Sequence, residues 1–402
     1  MRLTTALVAL CAIVSISGTA SAQFSDKKIK IGILDDFSGQ YCVGNCMGPV
    51  SATKIAIEEF GSKIGDTPIE FVYADHQNKP DVGVSIANKW YDVEQVDVIV
   101  DVVNSAVALA VQEIAKQKGK AVLYSTAGSD QLTGPACAPY SAQWTYDTYQ
   151  FGKSIGEAMP QLGKKWFIVA ADYAFGKGLA AGTEATVKAA GGTVVGTVFH
   201  PFNAGDLSSF ILQAQNSGAD VIALGNAGSD MNNSIKAAHD FGLIEKGIKV
   251  VPLSLDAPLI EAAGGLEATQ GMLVTLPWYQ GLNDKSQALA KKYQAMQGMG
   301  LQYLFAGLYS AVRHYLQAAK DTGTDDPAKV FEKMRATPVN DAFATNGKLR
   351  IDGRMVHDVY LVKVKKPSES KGPDDLVSLV STIPGDKAFR PLEDGGCPLV
   401  KK

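Results

Sequence analysis

Between Arg2 and Arg313 the chain contains no arginine, and the remaining ones come late, at Arg335, Arg350, Arg354 and Arg390. An anion held by the first three quarters of the protein therefore finds no guanidinium fork. It must be gripped by lysine, hydroxyls or backbone N–H groups. Catalytic vocabulary is equally thin. The G-x-S-x-G pentapeptide at Gly152-Lys153-Ser154-Ile155-Gly156 follows no β-branched strand run, so it lacks the strand-to-helix setting of a secreted hydrolase's nucleophile elbow. Histidine is confined to positions 76, 200, 239, 314 and 357. His76 follows Asp75 at a strand end, but no activated Ser or Cys can be assigned to it, and such a lone His reads as a capping or surface residue. Gly176-Lys177-Gly178 with Gly182 fails as a dinucleotide fingerprint: Asp172 to Phe175 separate it from the preceding strand, and the next strand ends in Val198-Phe199-His200 without a carboxylate for the ribose. An enzyme is not expected, and neither is a cofactor.

What is present begins with Arg2, an apolar run over 3–16, and Ala20-Ser21-Ala22 before Gln23. That order is the layout of a cleavable export signal, and the run is too short for the roughly 20 apolar residues of a bilayer span. Residues 1–22 are thus expected to be removed and the mature protein to work in the periplasm. Beyond Arg2 the chain holds 37 basic and 41 acidic residues, a mildly acidic balance that gives no reason to expect nucleic acid as a partner. The mature length exceeds the about 250–300 residues at which one core stops growing, so two lobes are expected.

Cys42, Cys46, Cys137 and Cys397 follow the signal, and an oxidising compartment makes an even count read as disulfides. Of the three possible pairings, Cys42 with Cys46 and Cys137 with Cys397 is favoured, because the first two share a short Gly-rich segment able to curl on itself. A metal at Cys42 and Cys46 is disfavoured, with no histidine nearby and no second pair of close cysteines.

From Lys28 onward β-branched runs alternate with amphipathic ones, the pattern of an α/β fold with parallel sheets. Strands are expected at 29–34, 69–73, 96–102 and 121–124, with helices at 50–60, 81–91 and 107–118 between them. The pattern restarts with strands at 166–170, 193–199 and 219–224 and helices at 178–190, 206–216 and 231–241. Local wording repeats too: Val96-Asp97-Val98-Ile99 is answered by Ala219-Asp220-Val221-Ile222. A strand at 272–276, helices at 284–296, 304–320 and 328–334, and strands at 347–351 and 357–364 follow. Ligands of open parallel sheets sit beyond the carboxyl ends of the strands. The candidate site is therefore Ser38, Tyr41, Asn104, Ser105, Ser125 and Thr126 in the first half, and Tyr173, Asn226, Asp230 and Asp256 in the second. Each Ser, Asn or Asp also suits ordinary helix capping.

Ile31-Gly32-Ile33-Leu34 with Asp36-Phe37-Ser38-Gly39, the run from Ala74 to Pro80, Asp172-Tyr173-Ala174-Phe175-Gly176-Lys177-Gly178 and Gly271-Met272-Leu273-Val274 together resemble the branched-chain amino-acid type of periplasmic solute-binding protein of ABC transporters. The resemblance covers the whole mature chain. It implies a monomeric two-lobe clamshell with three hinge crossings near 145, 277 and 354: lobe 1 from 23–144 plus 279–353, lobe 2 from 145–278 plus 354–402. Closure on a small solute would create the surface read by a membrane permease; an extracellular sensor of the same fold is the alternative, and a secreted hydrolase a more distant one. In similar amino-acid binders the loops matching Asn104-Ser105 and Ser125-Thr126-Ala127 hold the solute carboxylate, and an acid matching Asp256 takes the ammonium. This chain departs from them, with Asn104-Ser105-Ala106-Val107 in place of a serine cluster and Ala227 in place of a tyrosine. The resemblance accordingly extends to members that take aromatic or aliphatic carboxylates, urea or amides, with Tyr41, Tyr173 and Trp278 available to enclose an apolar body.

Overall fold

The computed structural model describes residues 24–42, 46–372 and 375–401, so the expected export signal lies outside the described residues. The first half forms β1 (Ile29–Asp35), β2 (Lys63–Ile64), β3 (Thr67–Asp75), β4 (Val98–Asp101), β5 (Ala121–Tyr124) and β6 (Ser141–Gln143). They join in one sheet of order β2-β3-β1-β4-β5-β6, parallel throughout except for the β2–β3 hairpin. β4 and β5 are buried at every position, which is what unbroken apolar runs require of strands covered on both faces. The covering helices are α1 (Gly48–Phe60), α2 (Pro80–Asp92) and α3 (Ser105–Lys118). α3 stops at Gly119, whose φ of 63° lets the chain turn out of the helix without a Cβ clash.

The second half repeats the plan. After α4 (Thr148–Ser154) come β7 (Lys165–Ala171), α5 (Ala174–Ala189), β8 (Thr193–His200), α6 (Ser208–Gln215), β9 (Val221–Gly225), α7 (Gly228–Asp240) and β10 (Lys249–Pro252). This all-parallel sheet has the order β10-β9-β7-β8. Read from the second strand of each half, β3-β1-β4-β5 and β8-β7-β9-β10 are the same topology. The repeated wording of the sequence is a repeated fold.

The remainder contributes α8 (Ala257–Ala262), α9 (Gly265–Thr269), β11 (Leu273–Leu276), α10 (Asp284–Gln297), α11 (Tyr303–Thr322), α12 (Pro327–Ala336), β12 (Lys348–Leu349), β13 (Met355–Val356), β14 (Val359–Val364), β15 (Val377–Ile383) and α13 (Gly385–Ala388). α10 and α11 return to pack on α1, whereas β11 lies beside β10 and builds an antiparallel sheet β11-β14-β15. The strand expected at 347–351 is only the two-residue β12, paired with β13. β6, β10 and β15 were not anticipated; β6 reads Ser-Ala-Gln and β15 is half exposed, so neither shows an apolar run.

Both expected disulfides form, Cys42–Cys46 and Cys137–Cys397, with Cα separations of 4.4 and 5.6 Å. The second fastens the C-terminal segment to the body, helped by Arg390, whose Nη1 lies 3.1 Å from Asp130 Oδ2. Among the described residues no helix is long and apolar enough to cross a membrane.

Candidate functional site

In each parallel sheet the first strand has neighbours whose connections leave in opposite directions, and the crevice opens at that point. The crevice of the first sheet lies past β1 and β4, that of the second past β7 and β9, and a cavity lies between them. Its wall draws on both: Asp35, Tyr41, Val103, Thr126 and Tyr146 from the first half and its exit, Tyr173, Phe175, Ala227, Gly228, Ser254, Asp256 and Leu259 from the second, and Gln302 to Phe305 from the start of α11. A concave wall of aromatic side chains with a few polar groups suits a small organic molecule.

The loop after β1 is shaped by the buried Asp36 carboxylate. It accepts from Gly39 N at 2.7 Å, Tyr41 N at 3.0 Å and Asn78 Nδ2 at 2.7 Å. This places Tyr41 across the cleft, where its hydroxyl bonds that of Tyr173 and its ring lies 6.0 Å from Phe202. Gln40 completes the bridge, its carbonyl accepting from Ser229 N at 3.2 Å. Gly228 fits there because of its positive φ of 60° and because a Cβ would stand 2.6 Å from that same carbonyl oxygen. Deeper in, Tyr146 bonds the Thr126 carbonyl and meets Tyr303 edge-on at 5.7 Å.

The loop after β4 is strained. Asp101 and Val102 have φ of 80° and 60°, a region that β-branched residues almost never enter. Val102 N bonds Leu34 O at 2.9 Å and Val103 N bonds Asp35 Oδ1 at 3.0 Å, which turns Val103 onto the cavity wall. Asp35 and Asp101 are both buried. Burial and the neighbouring Asp101 carboxyl push Asp35 well above the usual carboxylate range. His76 stands behind them: its Nδ1 accepts from Asn78 N at 3.0 Å, leaving the proton on Nε2, 3.9 Å from Asp35 Oδ1. Burial pulls His76 down to about 4, so it is neutral.

Three long helices present N-termini to the cavity without side-chain caps: α5 after Tyr173, α7 after Ala227 and α11 after Gln302. Their first-turn N–H groups and dipoles make a positive field. No lysine or arginine among the described residues lines the cavity. Asp256 is the exception in sign. It caps α8 through Oδ1, 3.2 Å from Leu259 N, while its buried Oδ2 makes no hydrogen bond. Burial raises it to about 7.

Of the sequence candidates, Tyr41, Thr126, Tyr173 and Asp256 reach the cavity wall. Asn104 instead caps α3, accepting from Ala106 N at 2.9 Å, and Ser105 Oγ accepts from Ser129 N at 3.1 Å. Ser125 and Thr126 hydroxyls both donate to Asp101 Oδ1, at 2.6 and 2.8 Å, and the Ala127 carbonyl accepts from Gln143 Nε2 at 2.9 Å. These groups shape the strained loop behind the wall. Asn226 binds His200 Nε2 and Ser234 Oγ at 3.1 and 2.8 Å, and Asp230 accepts from Asn203 N at 2.9 Å. Ser38 stands exposed on the rim, 2.5 Å from Asp75 Oδ2. Trp278 is buried outside this cavity, its N–H on the Ala342 carbonyl at 2.8 Å. Sequence reasoning missed Asp35, Tyr146, Gly228 and Gln302 to Phe305; the aromatic cluster opening α11 was the available signal. A carboxylate group of Asp26, Asp97 and Asp325 lies near the opposite, N-terminal end of β4 and takes no part in this site.

A family model described as periplasmic binding protein matches residues 28–373. A periplasmic binding protein from Burkholderia mallei is 43% identical, with a TM-score of 0.90, and the match covers 93% of this chain and 100% of that one. A branched chain amino acid ABC transporter periplasmic ligand-binding protein from Burkholderia xenovorans LB400 is 37% identical with a TM-score of 0.83, covering 92% and 100%. The Leu/Ile/Val-binding protein homolog 6 of Brucella abortus is 26% identical over 376 residues, 90% of this chain and 94% of the relative.

Proposed function

The chain belongs to the periplasmic binding protein family, and from that membership we propose that it captures a small organic carboxylate with a flat apolar body and hands it to the permease of an ABC importer, without transforming it. One observation carries the choice of solute: N-termini of α5, α7 and α11 that lack side-chain caps converge on an aromatic cavity lined by no cationic side chain, although Ser229 N of α7 is taken by the Gln40 carbonyl. Such a cavity favours one negative charge and an apolar remainder. Asp35, pushed well above the usual carboxylate range by burial, is biased toward its neutral form and opposes the anion less than an exposed carboxylate would. The proposed lobes are 23–144 with 279–353 and 145–278 with 354–402, closing across Tyr41, Tyr173, Gln40 and Gly228 and presenting the closed surface to the permease.

Thermal-shift screening of aromatic and aliphatic carboxylates, amino acids and amides tests the reading. A solute at 100 times its dissociation constant adds about 2.7 kcal/mol of stability. Carboxylates should shift the transition and amides should not; a panel in which no carboxylate does so would sink the proposal.

Asp256 supports a second reading. Its unpartnered Oδ2 would suit the ammonium of an amino acid if ionised, or would donate to a solute oxygen if protonated. The pH dependence separates the two. For an anionic solute, affinity rises as pH falls through 7, because protonated Asp256 no longer repels the carboxylate; between pH 6 and 8 the change approaches about tenfold. Asp256→Asn should keep the pH 6 affinity and lose the slope. An amino acid would bind more tightly as pH rises through 7, and Asp256→Asn would abolish binding.

A further inference from the structure

A second cavity lies directly behind the first. It is lined by buried Ile260 of α8, Val274 and Leu276 of β11, Trp278, Leu301 and Val362 of β14. Asp256 and Tyr303 belong to both walls, so the two chambers meet at that pair. The rear lining is almost wholly apolar, and its indole N–H is already satisfied by the Ala342 carbonyl. Among the fully buried side-chain atoms of that wall only Asp256 Oδ2, at the mouth, lacks a polar partner, and the polar Gln280 is partly exposed, so the buried part of the wall suits hydrocarbon. Resting on the carboxylate reading above, we infer that the rear chamber receives an apolar tail of the solute, threaded between Asp256 and Tyr303 while the carboxylate stays at the helix N-termini of the front chamber. The solute class is therefore an acid with a hydrocarbon extension, longer than a branched-chain amino acid.

Isothermal titration with two homologous series tests this: benzoate with its 4-ethyl, 4-butyl and 4-hexyl derivatives, and n-alkanoates from butanoate to decanoate. Each methylene that enters the chamber should tighten binding about fourfold, the equivalent of about 0.8 kcal/mol, until the chamber is full. Ile260→Phe should erase the gain of the long members while leaving the shortest binder unchanged. Ala257→Leu, at a half-buried position beside Asp256 and on the same wall, provides a second block should the first variant fold poorly. If short acids bind and the longer ones gain nothing or lose affinity, the tail chamber is refuted while the carboxylate function stands. If no member of either series binds, both are refuted.

Discussion

Gly228→Val should lower solute affinity by about 100-fold, measured by titration calorimetry with whichever acid the screen identifies. The closed cleft brings the start of α7 against the loop after β1, with Ser229 N donating to Gln40 O at 3.2 Å. A Cβ at 228 would sit 2.6 Å from that oxygen, so closure must stop short or displace backbone on one side. A loss of about 3 kcal/mol in the closed form corresponds to this fold-change. The left-handed backbone adds a cost of its own to folding, and Gly218→Val isolates it: Gly218 has φ of 73° with nothing within 4 Å of its Cβ position. That control should lose stability and retain affinity. Unchanged affinity in Gly228→Val would mean that this contact is no part of solute capture.

Arg354→Met should cost about 3–5 kcal/mol of folding stability in urea titration, with Asp147→Asn close behind. Arg354 is 1% exposed, and its guanidinium stands 3.4 Å from Asp147 Oδ2, 2.8 Å from the Tyr146 carbonyl and 4.6 Å from the Phe389 ring centre. Burial lowers Arg354 to about 10, still high enough to remain charged at any physiological pH. Removing either partner strands the other as an unpaired buried charge. The double variant Arg354→Met with Asp147→Leu removes both charges and should recover much of the loss; equal or greater loss would show that packing, not the ion pair, is what the site requires. The pair also stitches two crossing segments, since Gln143 N bonds Gly353 O at 2.8 Å and His357 Nε2 lies 2.8 Å from Thr145 O. Loss of the pair should therefore loosen the proposed hinge as well as the fold.

Most of the architecture was legible because burial imposes a period on the chain. Strands covered on both faces need unbroken apolar runs, and β1, β4, β5, β7 and β9 all supply them. Short or half-exposed strands carry no such demand, which is why β6 and β15 were silent. The candidate site was legible only in part. Asn104, Ser105, Ser125 and Asn226 sit at strand ends as expected, yet the same polarity that suits a ligand also suits a cap or a buried loop, and each bonds a group within the protein, Asn226 through its Nδ2. Tyr146 and Tyr303, more than 150 residues apart, meet in the cavity through no local pattern at all.

The sequence by itself determined the α/β class, the doubled topology, the even set of four cysteines beyond residue 22 and the absence of a guanidinium clamp, because each follows from local periodicity, residue count or residue chemistry. Tertiary structure alone decided which polar groups line the cavity and which bond within the protein, that three helix N-termini share one cavity, and that an apolar wall adjoins it at Asp256 and Tyr303. Those properties depend on how far apart in space distant segments come to lie. No stretch of chain encodes that distance on its own.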